Sequence, residues 1–96
     1  DAPRVTVLHE IELTTLTPAI RSERNIRSAV GAYVQNVSPR VQAQVGLAPG
    51  DVIVQVNSTR ITSAEDAAQA LNSGRGAVVM YVERNGQYYT TEFVTQ

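Results

Sequence analysis

The twelve residues Gly46-Leu47-Ala48-Pro49-Gly50-Asp51-Val52-Ile53-Val54-Gln55-Val56-Asn57 decide how this chain is read. A leucine stands among turn residues, and a β-branched run follows at once. Val52, Ile53, Val54 and Val56 suit a pleated, half-buried strand over 52–56. Gly46 closes the element before it, because helices often end on a left-handed residue and glycine adopts that conformation without a Cβ clash. Pro49-Gly50-Asp51 turns the chain into the strand.

Upstream, Ser38-Pro39 supplies a cap and a proline at the first helical position, and Val41 and Val45 lie four apart, so a short helix can pack one face inward. Gly31 marks a turn into a strand over 32–37, while residues 25–31 carry no clear period. Leu16-Thr17-Pro18 opens another short helix, over 18–24, with Thr17 as its cap. Residues 4–14 alternate: Val5, Val7, His9, Ile11 and Leu13 share one face, and Thr6, Glu10, Glu12 and Thr14 the other. Period two predicts a strand, or two short strands joined by a bend near Leu8, which breaks the pattern.

Downstream, Asn57-Ser58-Thr59 reads as a tight turn and Arg60-Ile61 as a brief strand. Ser63 with Asp66 three residues on predicts a capping box. Ala64, Ala67, Ala68 and Leu71 then follow helical spacing, and Gly74 supplies a stop. Strands over 78–83 and 88–94 flank Asn85-Gly86, the pair that a type I′ hairpin turn prefers.

The 96 residues make one domain, and 43% apolar with 18% charged residues describes a globular chain with one modest core. All eight basic side chains are arginine and the net charge is −1, so neither nucleic acid nor a membrane surface is favoured. Cysteine is absent, which removes disulfides, thiolate nucleophiles and cysteine–zinc sites. No apolar run approaches the roughly 20 residues of a spanning helix. Asp1-Ala2-Pro3 resembles neither a signal peptide nor a natural start, so the chain is expected to be part of a larger protein.

Catalysis is not expected from this piece. His9 is the only possible imidazole base, no serine sits in a glycine-rich nucleophile turn, and without lysine a serine–lysine dyad is impossible. No ligand spacing points to a metal, and no cofactor is implied; Gly74-Arg75-Gly76 is a helix stop with no helix after it to form a phosphate loop. His9 itself reads first as a partly buried residue bonded to a backbone carbonyl. Tyr33, Tyr81, Tyr88 and Tyr89 are expected on strands with exposed hydroxyls, and Arg21, Arg24 and Arg27 on a solvated face.

Taken together, these elements resemble a PDZ domain of the kind attached to bacterial HtrA/DegP-like serine proteases. The run 46–57 is similar to that family's G-L-x-P-G-D-x-I-x-x-V-N pattern almost position for position. Gly31-Ala32-Tyr33-Val34, Ser38-Pro39, Ser63-Ala64-Glu65-Asp66, Arg84-Asn85-Gly86 and Leu16-Thr17-Pro18 each resemble a family segment, so the likeness covers nearly the whole chain. The core of that pattern concerns fold, since its glycines make turns and its Leu47 and valines fill a core. It implies an α+β, mainly β fold: a partly open antiparallel barrel or sandwich of five to six strands, capped by one long helix and one or two short ones.

The resemblance further implies capture of peptides or unfolded-protein C-termini by strand addition. A carboxylate-binding loop would lie at Leu8-His9-Glu10-Ile11, the accepting strand at 11–14 with Glu12 and Leu13, and the facing helix would present Ala64, Ala68 and Leu71. Small alanines imply a wide pocket for bulky apolar C-terminal side chains. Glu10 stands where the family usually has glycine, so either it points to solvent while backbone N–H groups hold the carboxylate, or C-terminal capture is weak and internal segments bind. His9 beside the loop would make binding pH-dependent near its unperturbed pKa of about 6.5. The implied setting is a periplasmic or envelope serine protease, with no membrane insertion by this domain. The alternatives are a docking module of a non-protease envelope scaffold or secretion protein, and a spacer or oligomerisation unit with a closed groove.

Overall fold

The computed structural model describes residues 4–7, 10–73 and 76–95. Its elements are β1 (Arg4–Val7), β2 (Ile11–Thr15), α1 (Pro18–Arg24), β3 (Ala32–Val37), α2 (Pro39–Val45), β4 (Val52–Val56), β5 (Thr59–Arg60), α3 (Ala64–Ser73), β6 (Gly76–Arg84) and β7 (Gln87–Thr95). The strands form one antiparallel sheet in the order β1-β2-β3-β4-β6-β7, with β5 on the side of β4. The class is mainly β with one longer and two short helices. Among the described residues there are seven strands where five or six were expected, because the alternating stretch at the start divides in two and Thr59–Arg60 adds a short rung.

Local chemistry accounts for the element ends. Thr17 and Ser38 each accept an N–H three residues on, at 3.2 Å, and each is followed by proline. Asn25 and Gly46 close these helices in left-handed conformation. Asn85 and Gly86 both have positive φ, as the type I′ turn between β6 and β7 requires. Gly31 is irreplaceable for another reason: a Cβ there would lie 2.8 Å from Val52 Cγ1 and 2.9 Å from the Ile53 carbonyl oxygen.

The expected capping box at α3 forms only by half. The Asp66 N–H donates to Ser63 Oγ at 3.1 Å, but the Asp66 carboxylate takes the N–H and hydroxyl of Thr62, at 3.2 and 2.5 Å. Aspartate is one methylene shorter than the usual glutamate, and Thr62 offers two donors within reach. The Thr62 hydroxyl, then its N–H, hold the Asp66 carboxyl below its usual range.

Apolar side chains divide between two faces of the sheet. Ile11, Leu13, Val34, Val41, Leu47, Ile53, Val56, Ile61, Met80 and Val82 gather with Ala64, Ala67 and Leu71 of α3 in the main core. Leu16, Tyr33 and Val52 form a smaller cluster, against which Ile20 and Ile26 pack. Tyr33 is thus buried rather than hydroxyl-out, and Tyr89 is partly buried; Tyr81 and Tyr88 are exposed, as expected. Thr14 is buried too, although its polar face was expected outward, because the second cluster covers that side of the sheet.

Two buried carboxylates bind distant segments. Glu83 accepts the N–H groups of Arg27 and Ser28 at 2.7 and 2.8 Å and the Ser28 hydroxyl at 2.5 Å, which gives the aperiodic stretch 25–31 its place. Burial alone raises the Glu83 pKa, but the hydrogen bonds outweigh it and hold the carboxyl below its usual range. Asp51, 1% exposed, accepts the Ala48 N–H at 3.0 Å, Arg84 at 2.6 and 2.5 Å, and the Tyr89 hydroxyl at 3.3 Å. Arg84 also donates to the Gly46 carbonyl at 2.7 Å and stacks 4.8 Å from the Tyr89 ring centre.

Burial, then the Asp51 charge, push the Tyr89 hydroxyl up to about 12. A folded pKa above the unfolded value of about 10 contributes stability that is complete below pH ~10 and lost as pH rises through the folded pKa. Asp51→Asn is expected to cost about 1.5–3 kcal/mol in urea unfolding, since it removes the charge from the buried acceptor of Ala48, Tyr89 and the partly exposed Arg84. It should also lower the Tyr89 midpoint read by tyrosinate absorbance while leaving it above 10; an unchanged midpoint would disprove this coupling.

Candidate functional site

The cleft expected to hold a ligand lies between β2 and α3. At one end, Thr15 Oγ1 accepts the N–H of Ala64, the first residue of α3, at 3.0 Å and donates to Glu65 Oε1 at 3.4 Å. This side chain ties the start of the helix to the end of the strand. At the other end, the Glu10 carbonyl accepts the Ser38 N–H at 2.8 Å. The Glu10 carboxylate accepts the Ser38 hydroxyl at 3.0 Å and pairs with Arg40 through both guanidinium donors, one at 2.9 Å. Hydrogen bonding from Arg40, then from Ser38, holds the Glu10 carboxyl below its usual range. Glu10 therefore faces α2, and its charge is balanced.

The residues expected to form the site fall into three groups. Ile11, Leu13, Ala64 and Leu71 are brought together, but as core residues no more than 1% exposed. Ala68 is half-buried against the same core. Glu12 is half-buried, with Asn36 Nδ2 donating to it at 3.3 Å. Leu8 and His9, half of the expected carboxylate loop, lie outside the described residues.

Among the described residues, β1 lies where the wide pocket beside the alanines was expected. β1 runs antiparallel to β2, pairing Arg4 with Thr14, Val5 with Leu13, Thr6 with Glu12 and Val7 with Ile11. α3 packs on β1, and Val5 packs against the core that includes Ala64, Ala67 and Leu71. β3 pairs with the opposite edge of β2, so both edges of the expected accepting strand are taken. Sequence reasoning left one strand or two open over 4–14 and did not place the first of them in the cleft. It also missed Thr15 and Arg40, which are ordinary polar residues until the fold brings them 49 and 30 positions from their partners.

Elsewhere, α1 ends at Arg24, so Arg27 lies beyond it, although Arg21, Arg24 and Arg27 still line one shallow depression with Asn85 and Gly86. Among the described residues, no cluster of three or more histidine, cysteine or acidic side chains could hold a metal, and no helix is long and apolar enough to cross a membrane.

A PDZ domain model matches residues 43–84. Serine protease HTRA1B of Danio rerio is 39% identical over 70 residues, 66% of this chain and 15% of the relative. Zinc metalloprotease Rip1 of Mycobacterium tuberculosis is 34% identical over 61 residues, 64% of this chain and again 15% of the relative. The chain thus spans about a seventh of these proteins' length. Among solved structures, the HtrA3 PDZ domain bound to the phage-derived ligand FGRWV superposes with a TM-score of 0.76 at 23% identity, over 98% of this chain and 86% of that one. The HtrA-type protease AlgW with tripeptide gives 0.61 at 27% identity, over 86% of this chain and 29% of that one.

Removing the Thr15 hydroxyl leaves the buried Ala64 N–H without its acceptor. Thr15→Val is expected to cost about 1–3 kcal/mol in urea unfolding and to speed amide exchange in the first turn of α3. Unchanged exchange there would show that the helix is not held through Thr15.

Proposed function

We propose, this chain being a PDZ domain of the HtrA type, that it captures extended peptide segments, free C-termini included, as a strand added between β2 and α3. The observation that carries this is that β2 and α3 hold a single extended backbone, that of β1, between them beside apolar Ile11, Leu13, Ala64, Ala68 and Leu71. Such a site reads backbone through strand pairing and side chains through alternate apolar contacts. The peptide ligands of the HtrA3 PDZ domain and of AlgW support the same reading.

The domain is not itself catalytic; it feeds or regulates an enzyme elsewhere in a longer protein. A trypsin-like serine protease of the bacterial envelope is the parent this reading favours, with peptides or unfolded-protein C-termini as partners. HTRA1B and AlgW support the protease. A zinc metalloprotease parent is the second reading, on the match to Rip1. Glu10 does not oppose a ligand carboxylate as an unpaired anion, because Arg40 balances it.

Titration with fluorescent peptides ending in Val, Leu or Phe tests the capture. Binding is expected to perturb the amides of Ile11–Thr15 and of α3, and to weaken at least ten-fold when the peptide carboxylate is amidated. Equal binding of the amide would leave internal segments as the ligands. Perturbations confined to other strands would reject the site.

A further inference from the structure

The strand-addition cleft is already filled. β2 has two edges; β3 holds one and β1 the other, so no edge remains for an incoming peptide. β1 has the polarity of the proposed ligand, lying antiparallel to β2 with its Val7 end opposite Ile11, where a peptide's C-terminus would arrive. It alternates as a bound peptide would: Thr6 is exposed, while Val5 is half-buried against the core beneath α3. We propose that Arg4–Val7 is a built-in occupant of the peptide cleft, which an outside peptide enters only by displacing it.

This rests on the capture reading and adds its regulation. Only residues 8–10 join the occupant to β2. A short link gives an effective concentration on the order of millimolar, which an outside peptide must overcome. The apparent affinity then falls by the fraction of molecules whose cleft is open. At the same time β1 is an edge strand of four residues, paired on one side only, and local opening of such a strand costs far less than global unfolding. The occupant also indicates the ligand class: an extended segment with β-branched apolar residues at alternate positions, as in Arg4-Val5-Thr6-Val7. Any force or partner that draws the chain upstream of β2 away from the cleft opens the site.

The test uses the full chain and one probe, a fluorescent peptide Asp-Ala-Pro-Arg-Val-Thr-Val with a free carboxylate, which is the chain's own first seven residues. Val5→Asp places a charge where β1 meets the core and is expected to release the strand, tightening probe binding at least ten-fold over the wild type. Thr6→Cys with Glu12→Cys locks the strand instead. The two are opposed across β1 and β2, where Cα atoms lie about 4.5–5.5 Å apart and a disulfide fits, and the chain has no cysteine to compete.

The oxidised double variant is expected to bind the probe at least ten-fold more weakly than the same protein reduced. If Val5→Asp fails to fold, the reversible lock still decides. Equal binding by the locked and reduced forms, or by Val5→Asp and wild type, overturns the occupant while peptide capture stands. Failure of every folded form to bind this probe or any peptide ending in Val, Leu or Phe overturns the capture reading, and the occupant with it.

Discussion

A single buried carboxylate holds together the parts of this fold that no local propensity could join. Asp51 lies at the exit of the turn 46–51, and its oxygens reach that turn through Ala48 and the β6–β7 hairpin through Arg84 and Tyr89. Its backbone carbonyl meanwhile takes the Val34 N–H of β3 at 2.8 Å. An ionised group so thoroughly removed from water is tolerable only where every lone pair is answered, and here each oxygen is. The Pro49-Gly50-Asp51 turn thereby fixes where α2 ends, where β4 begins, and how the hairpin closes over both. Glu83 does the same for the stretch between α1 and β3, whose lack of period reflects segments held by polar contacts rather than by an apolar face.

This frame is what allows the cleft to exist. α3 is set across the sheet by its alanine face and by the bond from Ala64 to Thr15, leaving room for one strand beside β2. An unpaired strand edge is a liability in any β protein, and covering it with a short strand of the same chain is one way to manage it. In a binding domain the same cover becomes a competitor for the ligand. The energetic balance rests on how few residues hold β1 and how short its tether is, so modest changes in either shift the fraction of open molecules.

The sequence was most legible where the rules are local. Thr17-Pro18, Ser38-Pro39, Gly46 and Asn85-Gly86 announce helix ends and a hairpin through properties of a few adjacent atoms, and all of them act as read. The alternation over 4–14 announced strands, yet alternation says which face is apolar and not what lies beyond the edge. The capping box at Ser63 was half legible, because the competing donor Thr62 is also local but its preference depends on side-chain reach. Tyr33 and Thr14 were misjudged since nothing in their neighbourhood foretells a second apolar cluster on the far face of the sheet.

By itself, then, the order of residues determined the elements, the turns between them and the family likeness. These follow from backbone sterics, side-chain period and composition, which act over a few positions. Only the tertiary structure decided that Glu10 pairs with Arg40, that Thr15 anchors α3, and that the proposed site contains a strand of its own chain. Each joins residues that are remote in sequence or lie on opposite sides of a cleft. Their partners are chosen by the packing of the whole sheet against α3, which no local pattern records.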